Sequence, residues 1–226
     1  MLRILSCITV EHDLRLVLLA ALICFLSCYV AVTLMQRARV AKGMARNLWL
    51  GTAGASSGFG IWATHFIAML AYDPGVVMGF DMELTLLSLL VAVVVTTMGL
   101  VVATYIAGRA AAMAGGLLLG AGTSSMHYIG MEASQWAPFM RFDPWGFAAS
   151  VLVAVLLAIV ALWVRFGLER VVRWRARWLN LAAGVVMGLA IAGMHYTGMA
   201  ALRFIEVPNE LELLAAAEGT PMALAV

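Results

Sequence analysis

Six long apolar segments follow one another along the chain, separated by short polar connections. Each has the length, about 20 residues with few or no charges, that an α-helix needs to cross a bilayer. The segments are 14–35, 47–72, 82–106, 112–136, 145–164 and 178–202. We therefore expect an all-α membrane protein with six complete transmembrane helices.

The second, fourth and sixth segments share one motif. They read GASSGFGIWATHFIAM at 54–69, GLLLGAGTSSMHYIGM at 116–131 and GVVMGLAIAGMHYTGM at 184–199. All three fit G-x3-G-x6-H-x3-M without a gap. The shared positions are Gly54, Gly58, His65 and Met69; Gly116, Gly120, His127 and Met131; and Gly184, Gly188, His195 and Met199. At about 100° per residue, the four positions of each copy fall on one stripe of a helix.

The odd-numbered segments complete the repeat. Asp13, Asp81 and Asp143 stand just before them, where a carboxylate can cap the first turn of a helix. The chain thus divides into three helical hairpins, at about 11–72, 79–136 and 141–202. We expect a single domain over 1–226, with a pseudo-threefold axis along the membrane normal, glycine-rich even helices inside and odd helices outside.

Charge predicts the orientation. Ten of the fourteen Lys and Arg residues lie in the loops after the first, third and fifth segments, and eleven of the twelve acids lie on the other side. By the positive-inside rule, the basic loops are cytoplasmic and the N-terminus is periplasmic in a bacterial inner membrane. The net charge of +2 suits anionic lipid heads and gives no reason to expect nucleic-acid binding.

The segment 203–226 forms a tail on the outer side. It is too short and too charged to cross the membrane, but it ends on the apolar letters PMALAV. We expect these letters to begin a seventh helix that the chain does not complete.

His65, His127 and His195 are expected to meet in the outer half of the membrane. An ionisable side chain within a bilayer usually faces the interior of the bundle and indicates a functional site. Each histidine has a thioether one turn later, in Met69, Met131 and Met199, and Met126 and Met194 add sulfur directly before two of them. Imidazole with thioether favours copper over zinc, because zinc takes cysteine, histidine or carboxylate ligands.

Three further side chains are assigned supporting roles. Tyr128 and Tyr196 follow their histidines and point toward the next inner helix, where they orient a ligand or simply bond to a carbonyl. His12 stands at the outer mouth; we expect a solvated residue at the start of a helix, with an accessory metal ligand as the alternative. Cys24 and Cys28 share one helix face, so we expect no disulfide between them.

The motifs resemble the MHYT domain, a bacterial integral-membrane sensor module. Met-His-Tyr-Thr stands verbatim at 194–197, Met-His-Tyr-Ile at 126–129 and Thr-His-Phe-Ile at 64–67, and the resemblance covers essentially the whole chain. It implies an input domain attached to cytoplasmic regulators, commonly enzymes of cyclic di-GMP metabolism. It also implies a copper site on the outer side that senses O2, CO or NO. Thr64 and Phe66 depart from the motif in the first copy, and the family usually has a seventh span.

Two other functional classes stay open. A haem-binding oxidoreductase subunit is one, since histidine and methionine are axial haem ligands, although tight glycine packing leaves little space for a porphyrin. A copper permease is the other, and it ranks lower because the inner faces below the histidines offer few polar groups. No nucleotide-binding or hydrolase motif is present, so we expect no enzymatic activity from the chain itself.

Overall fold

The computed structural model describes residues 12–73, 79–106, 108–135, 139–168 and 175–205. Six α-helices run through these residues. They are α1 (Leu14–Val40), α2 (Gly43–Ala71), α3 (Met82–Tyr105), α4 (Arg109–Glu132), α5 (Pro144–Leu162) and α6 (Ala176–Ala200), with a π-helical turn at Trp163–Gly167 after α5. The helix count agrees with the sequence prediction. The polar end of α1 remains helical to Val40, whereas α4 ends at Glu132, before the predicted bound at 136, because Ser134–Gln135 pair as a strand.

Short antiparallel pairings close the same end of each hairpin. β1 (Gly79–Phe80) pairs with β2 (Ser134–Gln135), β3 (Phe139–Phe142) pairs with β4 (Leu202–Ile205), and an isolated bridge joins His12 to Tyr72. Each pairing joins the start of an odd helix to the end of the even helix that follows it. We call this end of the bundle the capped end, and the opposite one, which carries the Arg-rich connections, the basic end.

The three aspartates cap their helices as predicted. Asp13 accepts a hydrogen bond from the Arg15 N–H at 2.8 Å, and Asp81 and Asp143 accept from Leu84 and Gly146 at 2.9 and 3.0 Å. The same aspartates also donate their backbone N–H groups to the alanines at the ends of the even helices. Those bonds run from Asp13 to Ala71 (2.8 Å), Asp81 to Ala133 (2.7 Å) and Asp143 to Ala201 (2.9 Å). Each hairpin is therefore held at its capped end by one repeated hydrogen-bond pattern.

The helices pack in a ring. Each contacts its hairpin partner, and α2 also contacts α3, α4 contacts α5, and α6 contacts α1. The even helices bury more residues than the odd ones, and α4 reaches both α2 and α6 across the centre. The odd helices expose large apolar side chains such as Leu18, Leu86 and Leu152. Large apolar side chains are expected to be exposed on helices that face hydrocarbon.

Four of the helices in the described residues are long and apolar enough to cross a membrane. They are Leu14–Val40, Met82–Tyr105, Pro144–Gly167 and Ala176–Ala200. The other two, α2 and α4, are glycine-rich and contribute strongly to the buried centre. The protein is therefore an integral membrane protein by the length and composition of these helices.

Some predictions fall outside the described residues. These are the tail from 206 onward with its apolar end, the outer ends of the repeats at Glu11 and Trp136, and the basic residues Arg170 and Arg173. Cys24 and Cys28 are described; both are buried and free, which confirms that no disulfide joins them.

Candidate metal centre

The structure brings His65, His127 and His195 together at the centre of the bundle. Each side chain comes from a different even helix and is at most 4% exposed. The Nδ1 atoms form a triangle, with His65 and His127 3.1 Å apart and His195 3.4 Å from each of the others. The rings stand nearly perpendicular to one another, with interplanar angles of 76–87°. Three helices thus present the same nitrogen to a common point.

The size of this triangle fits a metal ion. A point equidistant from the three Nδ1 atoms lies about 1.9 Å from each, close to the 2.0–2.1 Å of a metal–imidazole bond. A neutral imidazole offers either one N–H or one lone pair at Nδ1, so three facing Nδ1 atoms cannot all be satisfied by hydrogen bonds to one another. One cation accepts three lone pairs at once, which makes these residues a fitting donor set.

Two glycines outside the predicted glycine pairs, Gly130 and Gly198, make room for this cluster. A Cβ added at Gly130 would lie 2.5 Å from Nε2 of His65, and one added at Gly198 would lie 2.7 Å from Nε2 of His127. The rings of His65 and His127 therefore fit against the next even helix, at the position three residues after that helix's own histidine. The signal was the glycine shared by MHYIGM and MHYTGM. In the first copy Ala68 stands at this position.

The predicted methionine ligands occupy two places. Met69, Met131 and Met199 pack together with Leu202 in one buried cluster, one helical turn from the histidines toward the capped end. Met126 is also buried, but it belongs to the larger apolar core that includes Ile61 and Leu119. Met194, like Met126, is 1% exposed. Thr64 replaces this sulfur in the first copy and donates its hydroxyl to the Gly60 carbonyl at 2.7 Å.

An aromatic contact links each hairpin to the next around the histidines. Phe66 packs on Phe80 with centroids 5.3 Å apart, and Tyr128 packs on Phe142 at 5.2 Å. The hydroxyl of Tyr128 pairs with Ser150 at 2.6 Å. The partner of Tyr128 thus lies on the odd helix α5, whereas the prediction pointed this side chain toward the next inner helix.

His12 makes the third contact of this kind, with its ring 5.4 Å from that of Tyr196. The ring also lies 5.0 Å from Tyr72, and His12 is only 6% exposed. The expectation of a solvated histidine was therefore wrong. Its backbone pairs with Tyr72, which places the side chain between two aromatic rings. Among the described residues, the group able to share one ion contains the three central histidines and not His12.

The glycine pairs contact outer helices, whereas the sequence interpretation used them to bring the inner helices together. A Cβ at Gly58 would lie 2.5 Å from the Cα of Val93 on α3, and one at Gly120 would lie 2.5 Å from the Cα of Val155 on α5. Cβ atoms added at Gly54 and Gly116 would likewise lie too close to Thr97 on α3 and to Ile159 on α5. The third pair is less tightly packed. A Cβ added at Gly184 would lie 3.3 Å from the Cα of Tyr29, and one added at Gly188 would lie 3.8 Å from the Cys24 Sγ.

Comparison with known proteins gives a consistent result. Residues 58–116, 120–184 and 188–226 match the MHYT family, described as the bacterial signalling protein N-terminal repeat. No solved structure is significantly similar to the chain.

Curated relatives are signalling proteins. The bifunctional diguanylate cyclase/cyclic di-GMP phosphodiesterase MucR of Pseudomonas aeruginosa is 40% identical over 200 residues, covering 86% of this chain and 28% of that protein. The cyclic di-GMP phosphodiesterase NbdA of the same organism is 36% identical over 207 residues, covering 90% and 26%. An uncharacterized signaling protein of Caulobacter vibrioides is 36% identical over 214 residues, covering 92% and 26%. The chain spans about a quarter of the length of these relatives.

Proposed function

The chain belongs to the MHYT family of bacterial signalling proteins, and on this premise we propose that it is a membrane-embedded sensory input domain with a copper site at His65, His127 and His195. The observation that supports the site most directly is the triangle of Nδ1 atoms with edges of 3.1–3.4 Å. Three imidazoles buried in an apolar bundle without a shared role would be costly, whereas a bound cation would satisfy all three.

All six helices cross the membrane in this proposal, as three hairpins around a pseudo-threefold axis. The repeated caps, the repeated aspartate-to-alanine bonds and the repeated aromatic contacts between hairpins support this arrangement. The capped end faces the periplasm, because the basic residues collect at the other end. The histidine cluster then lies in the periplasmic half of the bilayer, and the basic end lies among anionic lipid heads.

Copper is favoured over zinc by the donors around the cluster. Three imidazoles alone suit either ion, but the buried thioethers of Met69, Met131 and Met199 one turn away suit Cu(I). Met126 and Met194 are further candidate ligands. Haem is disfavoured, because three Nδ1 atoms this close leave no slot for a porphyrin. A permease is disfavoured by the apolar core that lies beneath the histidines.

Copper held here would supply a coordination position for a diatomic ligand (O2, CO or NO) and a Cu(I)/Cu(II) couple. The residues of the chain would turn either event into movement. His65, His127 and His195 each belong to a different even helix, and these helices rest through glycines on the outer helices of other hairpins. A change in the preferred separation of the three rings would therefore shift hairpin against hairpin.

The output lies beyond this chain. Relatives with similar input regions are named as enzymes of cyclic di-GMP synthesis or breakdown, and the matched region is about a quarter of each. We propose that the intact protein carries a cytoplasmic signalling domain, of which a cyclic di-GMP enzyme is the leading type. The input domain itself would perform no catalysis.

Electron paramagnetic resonance of the Cu(II)-loaded protein tests the metal assignment. We expect hyperfine coupling to three imidazole nitrogens in the wild type and to two in His127→Ala. A Cu(II) signal without imidazole nitrogen, or one that His127→Ala leaves unchanged, would exclude the proposed site. A Soret band in the purified protein would favour haem instead.

A further inference from the structure

The three contacts between hairpins are equivalent in sequence but not in closeness. We call them the first seam (α2 against α3), the second seam (α4 against α5) and the third seam (α6 against α1). At Gly58 and Gly120, an added Cβ would lie 2.5 Å from a backbone Cα across the first and second seams. At Gly188 in the third seam, the nearest atom is the Cys24 Sγ at 3.8 Å. The third seam is therefore the wider one at this level.

Side chains that close the first two seams near the histidines are replaced by alanine in the third. Trp62 lies three residues before His65 and donates its indole N–H to the Thr85 carbonyl across the first seam at 3.2 Å. Ala192 holds that position before His195. Ser150 pairs with Tyr128 across the second seam, seven residues after its capping aspartate, and Ala20 holds the corresponding position after Asp13.

Polar contacts tie the third seam toward the basic end. Asn180 on α6 donates to Thr33 Oγ1 at 3.3 Å and to Gln36 Oε1 at 3.0 Å, both on α1. At the capped end, the His12 ring packs on that of Tyr196. Between these two levels small side chains face each other, with one weak bond from the Cys24 Sγ to the Gly188 carbonyl at 3.9 Å. The seam is thus held at both ends and open beside the histidine cluster.

The opening forms an apolar cleft of about 220 Å³ that reaches His195. Ala20, Ala68 and Ala192 line it, together with Val185 and Leu189, which are 45% and 58% exposed. Since these exposed apolar residues belong to a helix that crosses the membrane, the cleft opens sideways into hydrocarbon. Its volume is several times the ~30 Å³ of one water molecule, and apolar cavities of this kind stay dry and take up small apolar molecules.

We propose that this cleft is the route by which a small apolar gas molecule dissolved in the bilayer reaches the histidine cluster, with His195 as its first contact. The inference rests on the proposed gas sensing for its purpose. A diatomic gas fits because it is apolar, dissolves in lipid and is far smaller than the cleft. Entry through the third seam also delivers the ligand beside the histidine whose Nδ1 is farthest from the other two.

The cleft itself is tested without metal, by xenon binding to metal-free protein in lipid nanodiscs, followed by 129Xe NMR, or in crystals under xenon pressure. Ala192→Trp introduces the side chain that closes the first seam. Leu117→Trp is the matched control, because Leu117 is 55% exposed on α4 and lies outside the cleft. We expect xenon in the cleft of the wild type and of Leu117→Trp, and none in Ala192→Trp. An empty wild-type cleft, or one filled by an acyl chain, overturns the proposal.

The route is tested by CO binding to the Cu(I)-loaded protein after flash photolysis. A plug in the route slows entry and exit together, so Ala192→Trp should lower both rate constants by about tenfold and leave the equilibrium affinity unchanged. Ala20→Ser is the milder variant in case Ala192→Trp does not fold. Serine stands at the corresponding position of the second seam, and its larger side chain narrows the cleft that Ala20 lines, so we expect a roughly twofold slowing.

The outcomes separate the two proposals. CO rates that are equal in the wild type, Ala192→Trp and Ala20→Ser overturn the route and leave gas binding intact. A Cu(I)-loaded wild type that takes up xenon but binds no CO overturns the proposed sensing of CO and, with it, the purpose of the route.

Discussion

The histidine layer and the glycine layer beneath it lie on the same three helices but have different neighbours. Histidines from the even helices face one another, with ring nitrogens 3.1–3.4 Å apart. Glycines about two and three turns deeper face the odd helices of other hairpins, where backbone approaches backbone at Gly58 and Gly120. One stripe of each even helix therefore serves two tasks. Substitutions in the histidine layer should change ligand binding, and substitutions in the glycine layer should change assembly.

Removing one ring should give the largest effect. His127→Ala leaves two of three imidazole donors, and we expect Cu(I) affinity to fall by about 1000-fold, or about 4 kcal/mol. A competition assay with a Cu(I) chelator measures this affinity. His12→Ala is the control, because His12 is a buried histidine outside the group that can share an ion. Equal losses in the two variants would contradict the division between the layers.

Adding one methyl group in the glycine layer should give the next largest effect. Gly120→Ala forces Val155 and its helix away, and we expect a loss of about 2–3 kcal/mol in the free energy of unfolding. Gly188→Ala is the matched variant, and its methyl would meet only the Cys24 Sγ at van der Waals distance. Thermal unfolding in detergent should therefore show a much lower midpoint for Gly120→Ala alone. Similar midpoints would mean that the second and third seams are equally close.

The methionine cluster lies on the side of the histidines opposite to the glycine layer, and it tests whether thioethers contribute to copper binding. Met131→Leu keeps the volume of the side chain and removes the sulfur, so we expect stability to hold and Cu(I) affinity to fall about tenfold. Met126→Leu removes a sulfur from the apolar core on the other side of the histidine, and we expect a smaller loss, roughly threefold. An unchanged affinity in both variants would leave the imidazoles as the whole donor set.

The smallest expected effect concerns one hydroxyl. Ser150→Ala removes the 2.6 Å partner of Tyr128 and makes the second seam resemble the third at this position. We expect a loss of about 0.6–1 kcal/mol in the free energy of unfolding and unchanged Cu(I) affinity. The companion variant Thr52→Ala loses a hydroxyl that bonds only within α2, to the Leu48 carbonyl. A loss no larger in Ser150→Ala than in Thr52→Ala would show that the Tyr128 bond does not hold the seam.

The sequence predicted the parts of this arrangement that depend on spacing along one helix. The six helices, the three caps and the placement of His65, His127 and His195 at one level all follow from a repeat without gaps. The helices that the glycine pairs contact could not be predicted in this way, because spacing gives the face of a helix and not the helix that lies opposite. The metal itself remains a prediction, since no residue pattern alone identifies the ion.

The burial of His12 and the open third seam could not be predicted from the sequence, for a related reason. Each depends on which residues meet across two hairpins that are distant in the chain, such as His12 with Tyr196 and Ala20 with the helix of Ala192. Once the three hairpins are compared position by position, the substitutions Ser to Ala and Trp to Ala stand out. The repeat therefore contains the information, but only the structure says which positions to compare.

The copper site at the three histidines is tested by the metal content of the purified wild-type protein, measured beside a variant in which His65, His127 and His195 are all alanine. We predict about one copper ion per chain in the wild type and none above background in the variant, with both proteins folded in detergent. Equal metal content in the two proteins would exclude a copper site at the three histidines.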